Sequence, residues 1–168
     1  MAAPTETELE QLEQERQRIR EAHLRPRESR PGSSARGLHH AAMLSSDVER
    51  TVGFYQDLLE FPLVDVFENR DYRGSTHFFF DIGNGSCLAF FDFPGLDLGP
   101  YREVLGGLHH LAISVEPERW EHLKGKLDDA GVDYLLESEV SIYFTDPDGT
   151  RVELIADPLG EMYGSQLL

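Results

Sequence analysis

The chain lacks paired cysteines and long apolar runs, each of which is typical of a different class of protein. It has a single cysteine, Cys87, among 168 residues, so no disulfide can form within the chain and a reducing compartment is expected. No apolar run approaches the roughly 20 residues that a transmembrane helix needs. The Glu-rich N-terminus also lacks the apolar core of a signal peptide. The sequence therefore predicts a soluble cytoplasmic protein.

Basic side chains are scarce once the first 36 residues are set aside. Residues 1–36 hold seven acidic and seven basic side chains, whereas residues 37–168 hold 24 acidic and 8 basic ones and carry the whole formal charge of −16. A field of that sign repels nucleic-acid phosphates and anionic lipid surfaces. It also disfavours a polyanionic substrate unless a metal supplies local positive charge. We expect a small-molecule substrate, and neither a nucleic acid nor a membrane as a partner.

The first 36 residues also differ from the rest in their pattern. Residues 5–24 are rich in Glu, Gln and Arg, which favours a helix, but large aliphatic side chains are few. Residues 25–36 contain prolines, a glycine and serines and are typical of a linker. We predict an N-terminal charged helix or tail plus linker over 1–36. It is either a mobile tail or a helix that packs on a partner subunit.

A seven-residue sequence motif occurs twice, with small changes, in the rest of the chain. Residues 37–43 read GLHHAAM, and 70 positions later residues 107–113 read GLHHLAI. Four of the seven histidines lie in these two copies. Matching histidines in two similar units predict two half-sites that face each other. One well-placed carboxylate would complete a metal site.

The segments that follow the two copies show the same order of predicted elements. In each, a short apolar strand precedes an amphipathic helix, and three further strands follow, the last two joined by a turn rich in Gly, Asn or Asp. Pro117 in its first turn and Gly131 just past its end delimit the second helix. We therefore predict an α+β fold with two curved sheets. It consists of two tandem βαβββ modules, module one over 37–100 and module two over 107–158, with a C-terminal tail over 159–168.

Strand geometry halves the number of candidate histidines. Neighbouring side chains on a strand point to opposite faces, so the two histidines of each pair cannot both face one site. Spacing alone does not choose between them. Glu153 is an isolated carboxylate in an apolar strand, where a charge is costly to bury unless it is paired or coordinates a metal. The alternatives are a solvated sheet face or a pair with Arg151.

Two imidazoles and one carboxylate on one side of a metal ion leave the opposite positions open. That arrangement suits non-haem Fe(II), which has to bind substrate and dioxygen together. The same ligand types can hold Mn, Zn, Ni or Co. The predicted cofactor is therefore a divalent metal ion with Fe(II) favoured, and the ligand types do not name the metal.

Four stretches carry a resemblance to a known family: His40–Asp47, Val52–Phe61, His110–Val115 and Tyr143–Leu154. They resemble the vicinal oxygen chelate superfamily, which includes glyoxalase I, extradiol ring-cleaving dioxygenases, fosfomycin-resistance thiol transferases and bleomycin-binding proteins. The resemblance covers about residues 37–158. It implies paired βαβββ modules that form a cupped, mixed β-sheet metal site. Family members pair their modules within one chain or across a dimer; we expect a homodimer, and either pairing stays open.

The resemblance also selects the second histidine of each pair. His40 and His110 match the metal-ligand positions on the first strand of each module. Glu153 matches the ligand on the last strand of module two. By the same resemblance His39 and His109 would point away from the metal.

The position opposite Glu153 in module one separates the branches of the superfamily. Aligning the two hairpins places Ala89 there, and alanine cannot coordinate a metal. Glyoxalase I uses a fourth protein ligand at about that point, whereas extradiol dioxygenases and fosfomycin-resistance enzymes use the three-ligand set. The fosfomycin-resistance enzymes also need basic groups around a phosphonate, and this domain has few. We therefore predict an extradiol-dioxygenase-like oxygenase that acts on a catechol-like, vicinal-oxygen substrate.

Departures from the extradiol pattern keep other functions open. Two histidines of that pattern are absent at their usual places, near Tyr134–Leu136 and near Cys87–Ala89. If the two hairpins match, His77 faces the cavity and is a candidate general acid or base. Tyr143 would offer a hydroxyl to the substrate. The alternatives are a glyoxalase-like lyase or isomerase, a fosfomycin-resistance-like thiol transferase, and a non-catalytic small-molecule (antibiotic) binding protein.

Overall fold

The computed structural model describes residues 3–168, which fall into two compact units that meet in sequence between Arg36 and Gly37. The second unit contains every residue predicted to take part in the metal site. Among the described residues, no helix is both long and apolar enough to cross a membrane.

The first unit is dominated by one helix, α1 (Glu6–His23), followed by a short 3₁₀ turn (Arg27–Ser29). A capping box begins α1: the Thr5 N–H donates to the Glu8 carboxylate, and the Glu8 N–H donates back to the Thr5 hydroxyl. None of the α1 residues is buried. Capping and ion pairs between neighbouring turns, rather than packing within this unit, therefore stabilise α1.

Module one has the predicted βαβββ order. Its elements are β1 (His40–Leu44), α2 (Val48–Val52) with a π-helical continuation (Gly53–Leu58), β2 (Leu63–Glu68), β3 (Thr76–Asp81) and β4 (Cys87–Phe91). Asp47 caps α2 by accepting from the Arg50 N–H at 2.9 Å. The strands form one sheet in the order β1-β4-β3-β2, with β1 parallel to β4 and the other pairs antiparallel.

Module two repeats this arrangement. Its elements are β5 (Leu111–Ser114), α3 (Pro117–Ala130), β6 (Tyr134–Ser138), β7 (Ser141–Thr145) and β8 (Arg151–Ile155). The sheet order is β5-β8-β7-β6, with β5 parallel to β8. The prediction of an α+β fold with two tandem βαβββ modules is confirmed. The predicted C-terminal tail contains regular structure, because β9 (Glu161–Met162) and β10 (Ser165–Gln166) form a short hairpin.

One hydrophobic core joins the two modules. It combines Phe78 and Phe90 of the first sheet with Ile142 of the second, together with side chains from the helices of both modules. Tyr55 is fully buried within it, and the Tyr55 hydroxyl donates to the Asp146 carboxylate of module two at 3.0 Å. Each sheet therefore uses one face for the shared core. The opposite face of each sheet, here called its site face, is left for other contacts.

Glu60 makes a second connection between the modules. Its carboxylate lies 2.9 Å from His122 Nε2 and 3.0 Å from Lys126 Nζ, and it also pairs with Arg119, all on α3. The hydrogen bond from His122, followed by the one from Lys126, lowers the pKa of Glu60 to about 2. Glu60 adopts a left-handed backbone with φ of 60°, an uncommon conformation for a residue with a side chain. These contacts hold it there.

Candidate metal centre

The two site faces have matching registers. In module one the central row runs across β1, β4 and β3 through Ala42, Ala89 and Phe79. In module two the same row runs across β5, β8 and β7 through Ala112, Glu153 and Tyr143. The predicted alignment of Ala89 with Glu153 and of Phe79 with Tyr143 is confirmed by this register.

Module two brings His110 and Glu153 together. The Glu153 side chain is buried, and its Oε2 lies 3.2 Å from His110 Nε2. Oε2 is itself buried and accepts no hydrogen bond from any residue between 3 and 168. A buried carboxylate oxygen without a donor is unfavourable unless a cation satisfies it. The pair therefore fits a divalent metal ion held by one imidazole nitrogen and one carboxylate oxygen.

The other carboxylate oxygen of Glu153 is held by hydroxyl groups. The buried Ser141 hydroxyl donates to Glu153 Oε1 at 2.5 Å, and the Tyr163 hydroxyl lies 3.5 Å from the same atom. Tyr143 is the cross-strand neighbour of Glu153. Burial, followed by hydrogen bonding with Glu153 and with Tyr163, raises the pKa of Tyr143 well above its usual value. Its hydroxyl is therefore protonated at neutral pH and acts as a donor.

Ser141 is a neighbour of Glu153 that the sequence did not predict. Ser141 lies two residues before Tyr143, and His77 lies two residues before Phe79. The correspondence of the two hairpins could therefore have identified Ser141 in the way that it identified His77. No such correspondence exists for Tyr163, since its hairpin follows both modules and has no counterpart in module one.

The first histidine of each repeated pair supports the second. His109 Nδ1 lies 2.7 Å from His110 Nδ1, and His39 Nδ1 lies 2.8 Å from His40 Nδ1. The expectation that His39 and His109 point away from the metal stays a prediction, and both rings are in hydrogen-bond contact with the neighbouring histidine. With Nδ1 engaged in each pair, Nε2 is the nitrogen left to bind a metal. Contacts of this kind orient metal-binding histidines.

Arg151 does not pair with Glu153, although both lie on the same strand face. Arg151 Nη2 lies 2.8 Å from a Glu103 carboxylate oxygen, and Arg151 Nη1 lies 3.1 Å from His109 Nε2. No Lys or Arg of the described chain forms an ion pair with Glu153. The alternative in which Arg151 neutralises Glu153 is therefore not observed.

His40 lies on the site face of the first sheet, where its ring is edge-on to Phe79 at 6.2 Å. It is exposed. Within residues 3–168, no three His, Cys, Asp or Glu side chains are grouped so that they could hold one metal ion. A single chain therefore brings His110 to Glu153 but does not bring His40 to them.

His77 sits in a cluster of aromatic rings on the same site face. Its ring stacks on Phe91 at 3.7 Å between centroids and lies 4.3 Å from Phe79 and 5.1 Å from Phe67. Its Nε2 atom is buried and has no hydrogen-bond partner in the described chain. Burial, followed by the nearby His40, lowers the pKa of His77. The imidazole is therefore neutral at pH 7 and retains a lone pair that can accept a proton.

The chain is similar in sequence to several known proteins. Residues 37–154 match the sequence model of the Glyoxalase/Bleomycin resistance protein/Dioxygenase superfamily. The metallothiol transferase FosB of Shouchella clausii is 32% identical over 133 residues, which cover 74% of this chain and 83% of FosB. The putative ring-cleaving dioxygenase MhqA of Bacillus subtilis is 26% identical over 136 residues, covering 76% of this chain. The chain spans only 42% of the length of MhqA.

A solved structure shares the fold. The fosfomycin resistance protein FosX of Listeria monocytogenes, complexed with Mn(II) and sulfate, superposes with a TM-score of 0.56 at 22% identity. The superposition covers 74% of this chain and 95% of FosX. The family match spans both modules and includes all three predicted metal ligands. The chain therefore belongs to the glyoxalase/bleomycin resistance protein/dioxygenase superfamily, as the resemblance of its sequence predicted.

Proposed function

We propose that this protein is a metal-dependent enzyme whose site is shared by two copies of the chain. His110 and Glu153 of one copy and His40 of the other would hold the metal. One observation carries the proposal: the buried Glu153 Oε2 accepts no hydrogen bond from the described residues and faces His110 Nε2 at 3.2 Å. A cation between these two atoms would satisfy both.

The arrangement of the modules supports a site that is shared between copies. The core joins the two sheets through one face each, whereas His40 and Glu153 lie on the opposite faces. A twofold axis can place the site face of module one against that of module two in a second copy, which generates two identical sites. Apolar side chains on these faces, Phe67 at 44% and Leu135 at 60% exposure, would become covered.

We propose that two protein groups move or hold a proton. A bound divalent ion would supply Lewis-acid polarisation of two adjacent substrate oxygens and, if it is Fe(II), access to dioxygen chemistry. The Tyr143 hydroxyl, whose pKa is raised, donates a hydrogen bond to a substrate oxygen. Neutral His77 accepts the proton of a substrate hydroxyl. We propose His77 and Tyr143 as the catalytic residues in these roles.

The aromatic cluster favours a ring-bearing substrate. Phe67, Phe79 and Phe91 line the site face around His77, and a planar ring can stack on or against them. We therefore propose, more specifically, an extradiol-dioxygenase-like oxygenase that cleaves the ring of a catechol-like substrate. The similarity to a relative named as a ring-cleaving dioxygenase agrees with this proposal.

A thiol transferase is the second candidate function. The 32% identity to FosB, over most of both chains, favours it. The charges do not, because Arg151 is the only Lys or Arg among the strand residues on the two site faces, and Glu103 already pairs with it. A phosphonate substrate would need more positive charge there.

Subunit mixing tests the shared site. His40→Ala and Glu153→Gln variants should each bind no metal alone. A heterodimer of the two regains one intact site, so random re-mixing should restore about a quarter of the wild-type sites. Equilibrium dialysis with elemental analysis measures the bound metal. If both variants stay empty after mixing while the wild type binds metal, the ligands do not come from two copies.

Turnover distinguishes the two enzyme candidates. Protein purified without added metal is analysed for its bound metal, then loaded with Fe(II) and assayed in air against a panel of catechols. A ring-opened product supports the dioxygenase. No product from any catechol, together with thiol transfer by Mn- or Zn-loaded protein, would favour the transferase.

A further inference from the structure

We propose that Tyr163, on the hairpin formed by β9 and β10, contacts the substrate directly and helps to select a planar substrate with adjacent oxygen atoms. This inference rests on the proposed function, because it concerns the same metal site. It assigns to the C-terminal hairpin the role of a wall of that site, opposite the β-sheet.

The first argument is the weak contact between the Tyr163 hydroxyl and Glu153. The Ser141 hydroxyl donates to Glu153 Oε1 at 2.5 Å, whereas the Tyr163 hydroxyl lies 3.5 Å from the same atom. Because Tyr163 is at the limit of hydrogen-bond distance, its hydroxyl is the one that can turn to another acceptor.

The second argument is a cavity lined by both Tyr143 and Tyr163. It has a volume of about 590 Å³, large enough for a small aromatic compound, and its lining includes Leu135, Tyr143, Arg151 and Tyr163. Tyr163 lines it from the hairpin, whereas the other three line it from the second sheet. A ring that enters between them meets two phenol hydroxyls on the side next to Glu153. That is where the oxygen atoms of the substrate would lie.

The third argument is the backbone of Tyr163. Its φ is 49°, in the left-handed region that residues with side chains rarely adopt, and the next residue is Gly164. Such a conformation is unfavourable for a residue with a side chain. The Asp157 carboxylate, which accepts from the Tyr163 N–H, holds it in place. A glycine at 163 would suit the turn better, so a tyrosine there implies a use for its side chain.

Binding of 4-nitrocatechol, followed by its absorbance on Mn(II)-loaded protein without oxygen, tests the inference separately from turnover. We expect Tyr163→Phe to retain Mn(II) affinity within about threefold, because Ser141 still holds Glu153, and to bind 4-nitrocatechol about tenfold more weakly, as for one lost hydrogen bond. Tyr163→Gly should lose at least as much probe affinity, while its Tm stays equal or rises because the backbone strain is relieved. Tyr134→Phe is the matched control, since the Tyr134 hydroxyl donates to Asp128 instead.

Three outcomes would overturn the inference. Equal 4-nitrocatechol affinity in the wild type and Tyr163→Phe would leave the proposed function intact but remove Tyr163 from the substrate site. Loss of Mn(II) together with the probe would mean that Tyr163 only supports Glu153. Failure of the wild type to bind Mn(II), or to bind the probe once loaded, would remove the proposed function and this inference with it.

Discussion

The two modules share one backbone plan but carry different chemistry on their site faces. Module one presents His40 in a setting of aromatic rings, with Ala89 at the centre of the face. Module two presents His110 and Glu153 in a setting of hydroxyl groups. The repeat therefore duplicates a scaffold and one proposed ligand position, whereas the unmatched positions create the asymmetry that the proposed three-ligand site needs.

Each site face is unfavourable by itself, and for opposite reasons. Module two buries a carboxylate oxygen that no donor within residues 3–168 satisfies. Module one leaves apolar side chains such as Phe67 and Leu44 exposed at 44% and 47%. In the proposed site a metal ion would offset the first cost and a covering surface would offset the second. Pairing the two faces around a metal meets both requirements at once, which is the physical reason for expecting a dimer.

Replacing the ligand that only module two possesses should have the largest effect. We expect Glu153→Gln to weaken metal binding more than about 100-fold, because the amide has no charge for the cation. The Tm of the metal-free variant should be equal or higher, since a buried, unsatisfied charge is removed. Titration calorimetry and thermal unfolding measure the two quantities. Glu103→Gln, which alters a carboxylate at Arg151 instead, should keep metal affinity; a parallel loss there would mean that general charge rather than coordination matters.

Removing the hydrogen bond from Ser141 to Glu153 should weaken metal binding less than replacing Glu153 itself. It should weaken metal binding more than replacing His77, the residue at the corresponding position of module one. Ser141→Ala removes the 2.5 Å hydrogen bond to Glu153 and should weaken metal binding about 10- to 100-fold, as for other groups that orient a ligand. His77→Ala, at the corresponding register position, should change metal affinity less than about threefold. The same titration compares them. Similar losses in both variants would contradict the division of roles between the modules.

The smallest effect concerns the ion pairs that join the modules. The lowered pKa of Glu60, about 2 in the folded protein against 4.5, means that its pairs stabilise the fold above pH 4.5 and lose that effect as the pH falls towards 2. We expect Glu60→Gln to cost about 1 kcal/mol of unfolding free energy at pH 7, because solvent screens the pairs, and much less near pH 2. Urea unfolding at several pH values measures this. Glu49→Gln on the exposed side of α2 is the control, and an equal pH dependence in the two variants would contradict the role of Glu60.

Most of the fold could be predicted from local patterns. The order of strands and helices in both modules follows from apolar periodicity and turn residues, and α3 begins at Pro117 and ends before Gly131 as predicted. The residue at which each strand ends is set by pairing in the sheet rather than by local propensity. The hairpin at 161–166 could not be predicted, because two strands of two residues have no periodicity to detect.

The candidate site was only partly accessible from sequence. The repeat identified two histidine pairs, the apolar strand pattern identified an isolated glutamate, and resemblance to a family was needed to select His40, His110 and Glu153. The contact of Glu153 with Tyr163 depends on how the C-terminal hairpin meets the second sheet, so no spacing encodes it. The pairing of Arg151 with Glu103 likewise arises from the fold, because the two lie on different elements.

By itself, the sequence determined the repeat, the two βαβββ modules and the presence of a single carboxylate at the matching position of module two. These follow from local patterns of polarity, which act between neighbouring residues. Only the tertiary structure decided that the two sheets share a core through one face each, which separates His40 from Glu153 within a chain. That outcome depends on contacts such as that of Tyr55 with Asp146, which are 91 residues apart in the sequence. Contacts between residues so far apart produce no periodic pattern from which they could be predicted.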